Sequence, residues 1–497
     1  MWHKNIADIH HLGTAMRPFA QAIALCVVPL LLVAAAPAWN SSPWLADLAQ
    51  IRGAIDNAYP NRDWLTGERE VSLDRWFDRT ADAIRASRSD ADARRALEKL
   101  VERFNDGHVV LSWPEMVAAE TTAGPDQSPP VQAPSVAAYC AARGYDARQV
   151  TAGTAAAIPE YRAIDGGGPF QAGLIPAEGT TIGVVRIGVF SPQGFPTTCE
   201  QAVTNLRVTF QNPCDAGCDD RLMAEANAIV TRGLMTTVER LRAAGAEVLM
   251  IDLTRNGGGT EWAEAAARIV SPVSLRSAPV AVMRGDRWVR RWHELSIKLR
   301  KEAQGSPLAD RTVLLDYSSR AETVANSLKP CAGPACSRLA QAGFASGLLA
   351  SLPSGRLDGK KWGVDVFNPA QFPYRDSVWK GPLIVLVDNE TWSAAEQFAA
   401  LLQDNSAAVV MGTRTGGAGC GHLDGNEPIT LTNSGAKLEL PNCVRLRENG
   451  TNEVSGVVPD ILTGVRWNDG PSFAGRLTFS RLPDAIAKAA ALSRGHH

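Results

Sequence analysis

Ser393 stands where an apolar run, Pro382 to Val387, gives way to an amphipathic one, in the stretch "DNETWSAAEQFAALLQD". A hydroxyl in the first turn of a helix lies beside unpaired N–H groups whose partial positive charge stabilises an oxyanion. Serine is also a favoured N-cap, and the local pattern by itself is satisfied by a cap. A second element adds weight to chemistry. In "DLTRNGGG" the glycines Gly257, Gly258 and Gly259 follow a continuous apolar strand, so the backbone there can approach a ligand and aim N–H groups at it. Two such donors converging on a carbonyl oxygen form the oxyanion hole of an acyl transfer. A plain strand-to-helix turn would use the same glycines. A phosphate cradle would need G-x-x-x-x-G-K-[ST], and an α/β-hydrolase elbow G-x-S-x-G; the chain has neither.

A serine nucleophile needs a base. Among the histidines beyond the apolar N-terminal stretch, His293 falls in a helix-like, Trp- and Arg-rich stretch, and His496 and His497 are terminal, which leaves His108 and His422. His108 ends "NDGH", a joint between a helix and the short strand "VVLSW", where Gly107 is expected to take the left-handed position that stops the helix. His422 lies in a Gly-rich loop that can sit near the site without serving it. Glu453, in "NEVSGVVPDI", is the candidate to orient an imidazole, with Glu448 as its substitute. Glu396, one turn beyond Ser393, suits helix packing or a substrate contact.

These residues need elements to hold them. Residues 39 to about 113 read as helical: Ser72 caps one helix with Trp76, Phe77 and Ile84 on its apolar face. A second starts near Ser89, with Leu97, Leu100, Val101 and Phe104 at helical spacing. Residues 115 to 135 are a Pro-, Ala- and Thr-rich linker, and 136 to 178 carry no clear sheet pattern. From "TIGVVRIGVF" onward the pattern is α/β. A helix over about 220–244, the strand "EVLMIDL", the helix "EWAEAAARIV", the strand "GPLIVLVD" and the strand "AAVVMG" give the rhythm of crossover units. Residues 426 to 447 read as a hairpin turning at "TNSGAK".

With 497 residues, 45% apolar and 21% charged, the chain can bury a large core, and length suggests several domains. A formal net charge of −2 gives no pull toward nucleic acid or an anionic membrane surface. Arg17 precedes the apolar stretch "FAQAIALCVVPLLLVAAAPAWN", which ends in the small-x-small pattern Ala36-Pro37-Ala38. This reads as a signal peptide, with Met16 as an alternative start and cleavage near Ala38. A membrane anchor is the rival, but Gln21 and Pro29 interrupt a stretch barely long enough to span. Eight of the nine cysteines lie beyond it, and an even number in an exported chain is most simply a set of disulfides. Cys214/Cys218 and Cys331/Cys336 are near enough for local loops, and Cys420/Cys443 could staple the segment after the serine helix. No C-x2-C pair or histidine pair supports zinc.

Taken together, "VLMIDLTRNGGG", "TWSAAEQFA", "AAVVMGTRTGG" and "GVVPDI", in that order, resemble the serine peptidases that comprise the C-terminal processing proteases and the tricorn-protease core. The ordered set spans roughly 180 to 465, with the "DGH" joint upstream. The resemblance implies a crotonase-like α/β fold behind an N-terminal helical domain, and hydrolysis of peptide bonds without metal or organic cofactor. The processing proteases place a lysine base in the Gly loop, where this chain has Ala418; a chance Ser434-x-x-Lys437 match does not replace it. The tricorn-like branch uses Ser, His and Glu, at places that match Ser393, His108 and Glu453. By this resemblance Ser393 attacks, His108 takes its proton, Glu453 orients His108, and the N–H groups of Ala394 and of Gly257 or Gly258 hold the oxyanion. The implied organisation is a signal peptide over 1–38, a helical domain over 39–114, and a linker and insert over 115–179. A catalytic domain over 180–466 and a helical C-terminal segment over 467–497 complete it. No inserted peptide-binding module is recognisable. The expected protein is periplasmic or secreted, with a peptide or protein substrate and no stable membrane insertion after cleavage. The alternative is a non-catalytic ligand-binding protein on the same fold, similar to retinoid-binding modules; a Ser–Lys peptidase is the weaker third choice.

Overall fold

The computed structural model describes residues 39–114, 135–209, 214–333, 336–425 and 427–495. The expected signal peptide and most of the expected linker lie outside these residues. The first segment folds as three helices, α1 (Ser42–Ala58), α2 (Leu73–Ala86) and α3 (Asp90–Glu102), then a short strand β1 (Val110–Ser112). The Ser72 and Ser89 side chains accept from Arg75 N and Asp92 N, so each cap fixes where its helix begins. One expectation fails at the end of α3. Asn105, not Gly107, takes the left-handed conformation (φ 49°). Gly107 is needed for a different reason: a Cβ there would lie 2.4 Å from the ring of Trp392.

After α4 (Val136–Ala141) come β2 (Arg162–Ile164), β3 (Gln171–Ala177) and β4 (Thr180–Arg186). The first two were not legible as strands and do not belong to a separate insert. They extend the main sheet antiparallel to β4, with the expected boundary at 180 falling between two paired strands. The chain continues through α5 (Pro196–Leu206), α6 (Ala216–Ala243), β5 (Val248–Asp252), α7 (Trp262–Val270) and β6 (Pro279–Met283). A helical hairpin, α8 (Asp286–Gly305) and α9 (Leu308–Ser327), leads to β7 (Leu339–Phe344) and α10 (Gly363–Val366). The segment around Ser393 follows as β8 (Leu383–Val387), α11 (Ala394–Asp404) and β9 (Val409–Gly412). Last come β10 (Ile429–Thr430), β11 (Lys437–Glu439), β12 (Cys443–Arg445), β13 (Ile461–Leu462), α12 (Pro471–Ser480) and α13 (Leu482–Gly495).

Among the described residues the main sheet has seven strands in the order β13-β9-β8-β5-β4-β3-β2. The pairs from β13 to β4 are parallel. Every residue of β5 and β8 is buried, because helices cover both faces. Leu249 and Ile251 pack with α6, α7 and α11, whereas Val248 and Met250 face Leu482, Ala485 and Ala489 of α13. The expected hairpin forms only in part. β10 and β11 pair, and β1 adds to them, but β12 leaves to pair with β6, which also pairs β7. The β6-β7-β12 sheet and the α8/α9 hairpin share a core built on Trp288, Trp292 and Leu299. Disulfides join Cys140–Cys199, Cys214–Cys218, Cys331–Cys336 and Cys420–Cys443.

Candidate active site

Two neighbouring parallel strands end side by side and deliver the site. β5 runs into the glycine turn and β8 runs into Ser393. The two loops are tied together. Trp392 N donates to the Asn256 carbonyl (2.9 Å), and Thr391 Oγ1 donates to that of Leu253 (3.0 Å). Gly258 stands so close to Ser393 that a Cβ would meet that of the serine at 2.8 Å, and its φ of 108° suits glycine alone. Ser393 itself has φ 54°. For a residue with a Cβ this costs about 1–3 kcal/mol, and such strain persists only where the surroundings impose it.

His108 comes from the other end of the chain. Its Nε2 lies 3.2 Å from Ser393 Oγ, across 285 residues of sequence. Its Nδ1 lies 3.1 Å from the Ala418 carbonyl. A carbonyl only accepts, so Nδ1 carries the proton and Nε2 presents its lone pair to the serine hydroxyl. That is the tautomer a general base requires. The Ala418 carbonyl, at the place in the Gly loop where a lysine is missing, thus fixes the imidazole. Burial pulls His108 down to about 4, and the charges of His422 and Arg445 act in the same sense. Behind it, Asp106 accepts from His108 N (3.0 Å), Tyr59 Oη (3.0 Å) and Asn61 Nδ2 (3.0 Å), and so fixes the backbone at the joint. Burial pushes Asp106 up to about 6.

Glu453 is not where the resemblance put it. Its carboxylate is engaged by Arg445 (Oε1 2.6 Å from Nη2, Oε2 3.0 Å from Nε), and both residues are buried. It makes no hydrogen bond to His108. Arg445 in turn donates to the Ser393 carbonyl (3.2 Å), the Gly419 carbonyl (2.9 Å) and Gln397 Oε1 (3.0 Å). A buried guanidinium needs an anion, and Glu453 is committed to that task. Glu448 is no substitute. It is exposed and its N–H donates to Asp404, at the far end of α11 from Ser393. An 11-residue helix puts those ends about 16 Å apart.

The expected oxyanion donors also divide. Gly258 N donates to Asn256 Oδ1 (2.8 Å), so it is already spent. Ala394 directly follows Ser393 at the start of α11, and Gly257 directly precedes Gly258 in the turn. Glu396 serves neither packing nor substrate. It accepts from the N–H groups of Ser393, Gly417, Ala418 and Gly419 and from Thr415 Oγ1, and so shapes the loop that presents the Ala418 carbonyl. The S-x-x-E spacing of a capping box was the available signal for part of this. Nothing local in sequence marked Asp106, Arg445 or Trp392. His422 stacks edge-on against His108 (5.8 Å between rings) while its Nε2 meets the Leu440 carbonyl (3.1 Å). His293 pairs with Glu322 (2.8 Å) on the exterior of the α8/α9 hairpin. Ser393, His108, Ala394, Gln397, His422 and Arg445 line one cavity of about 480 Å³. No group of side chains suited to a metal occurs among the described residues.

A serine hydroxyl meeting a neutral imidazole at the C-terminal edge of a parallel sheet is the equipment of a serine peptidase, and the chain is one. More particularly, residues 222–463 match the model of peptidase family S41. No curated protein matches by sequence. Among solved structures, mature CPAF is similar at 14% identity, covering 92% of this chain and 98% of its own, with a TM-score of 0.59. Mature CPAF complexed with lactacystin is similar at 13%, covering 92% and 99%, with a TM-score of 0.54. At such identities the likeness bears on the fold, a mixed α/β architecture around a central sheet.

Proposed function

We propose that the chain is an exported serine peptidase with a crotonase-like core, in which Ser393 is the nucleophile and His108 its base. The observation that carries this reading is the 3.2 Å approach of Ser393 Oγ to His108 Nε2, with Nδ1 occupied by the Ala418 carbonyl. Ser393 Oγ attacks the scissile carbonyl as its proton passes to Nε2. The carbonyl oxygen becomes an oxyanion held by the N–H groups of Gly257 and Ala394. Collapse expels the amine, which takes the proton from Nε2, and a water then repeats the cycle on the acyl-enzyme. Glu453 serves through Arg445: the pair anchors the carbonyls of Ser393 and Gly419 on either side of the nucleophile. Export is supported by the apolar N-terminal stretch and by the four disulfides.

The test is labelling with a fluorophosphonate, with the adduct located by mass spectrometry. Labelling on Ser393 that is absent in Ser393→Ala and at least about a hundredfold slower in His108→Ala is expected. A folded wild-type protein that does not label would pass the site to the ligand-binding reading.

A further inference from the structure

A second cavity of about 420 Å³ adjoins the catalytic one. The two share Arg291, Ala345, Asn368, Leu423 and Asp424 in their walls. Away from Ser393 the second is lined by Trp288, Trp292, Leu295, Phe344, Leu348 and Val364, from the α8 helix, the end of β7 and the turn after it, and α10. Trp288, Trp292 and Leu348 are buried in the core beneath the α8/α9 hairpin.

We propose that this cavity is a substrate subsite that takes one large apolar or aromatic side chain of the peptide, close to the scissile bond. The proposal rests on Ser393 being the nucleophile, since that sets which face of the cavity meets the substrate. The chemistry of the walls selects the occupant. Their apolar floor gains from burying a hydrocarbon or aromatic surface. The charges at the rim are already matched, Arg291 to Asp424 (2.8 Å) and Lys298 to Asp365 (2.7 Å), and Glu294 is exposed. An entering anion would therefore be desolvated without gaining a counter-ion, and a cation would find only the solvent-exposed Glu294. Asn368, which borders both cavities, gives its Nδ2 to the Ala345 carbonyl (2.9 Å) and leaves Oδ1 buried with no partner. A peptide bridging the two cavities brings an N–H that can match that acceptor.

The test is a positional-scanning peptide library read as kcat/KM, with fluorophosphonate labelling of Ser393 as a control for a folded, reactive site. Wild type is expected to prefer Phe, Trp or Leu over Asp or Lys at one position by at least about tenfold. Val364→Trp fills the rim from a residue that is 42% exposed, and is expected to cut that preference to about threefold or less while labelling is unchanged. Should Val364→Trp fail to label, Phe344→Ala reads the same subsite, and is expected to raise the rate on Trp relative to Leu. Labelling without preference at any position overturns the subsite, as does a preference that survives both substitutions. Absence of labelling in wild type overturns the peptidase site itself, and the subsite with it.

Discussion

In the proposed mechanism the proton-accepting atom is His108 Nε2, and its environment makes an unusual prediction about pH. A base must be unprotonated to act, and an imidazole drawn down to about 4 by burial is unprotonated over the whole neutral range. The acid limb of kcat/KM is expected well below the ordinary histidine value, toward pH 4, in rate profiles with a neutral peptide ester. A limb at 6.5 or higher would refute that environment. Glu453 gives a second prediction. Glu453→Gln leaves Arg445 buried without its hydrogen-bonded anion, so it is expected to lose about 3–5 kcal/mol of stability in denaturant titrations. A variant of wild-type stability but slow acylation would instead return Glu453 to the histidine.

Elements meet at the site through Trp392. Its ring lies against Gly107 on one side and Gly416 on the other, where added Cβ atoms would each fall at 2.4 Å. The indole thus sets the spacing between the joint that carries His108, the helix that starts at Ser393 and the loop that carries the Ala418 carbonyl. Gly107→Ala is expected to slow fluorophosphonate labelling about a hundredfold, because displacement of a catalytic group by about 1 Å costs that much. Trimming the ring in the double variant Gly107→Ala/Trp392→Ala should recover part of the rate; no recovery would exclude the wedge. The Cys420–Cys443 disulfide ties the same loop to β12, which carries Arg445. Replacing both cysteines with serine is expected to cost about 3 kcal/mol for a loop of this length. Labelling per folded molecule should fall as well, and an unchanged rate would detach the disulfide from the site.

The full fold is what brings His108 to Ser393. β1 pairs with β11, and the first helix docks on the turn of that hairpin. Buried Asp47 accepts from Asn433 N (3.0 Å), Asn433 Nδ2 (2.8 Å) and Ser434 N (2.8 Å). Asn452 donates to Asn61 (2.8 Å), and Trp64 Nε1 donates to Ser455 Oγ (2.9 Å). Asp47→Ala orphans three donors and is expected to lower stability by about 1–3 kcal/mol, measured by thermal unfolding. Because the base is held by this seam, acylation should fail at a lower temperature in Asp47→Ala than in wild type. Loss of both together would support a single cooperative unit, and unchanged acylation above the transition would refute it.

The sequence by itself determined the parts whose signals are local. Continuous apolar runs marked β5 and β8, Ser72 and Ser89 marked helix starts, three glycines marked the turn, and one serine marked a helix entrance. Strand β3 was hidden because Gly173 and Pro176 break its pattern and its burial comes from a neighbour far along the chain. Tertiary structure alone decided the partners. A carboxylate near "GVVPD" in sequence can orient an imidazole or neutralise an arginine, and only the approach of β12 commits Glu453 to Arg445. Likewise, a histidine's partner is a matter of distance between atoms. The Ala418 carbonyl belongs to every residue type at that position, so no side-chain pattern could have named it.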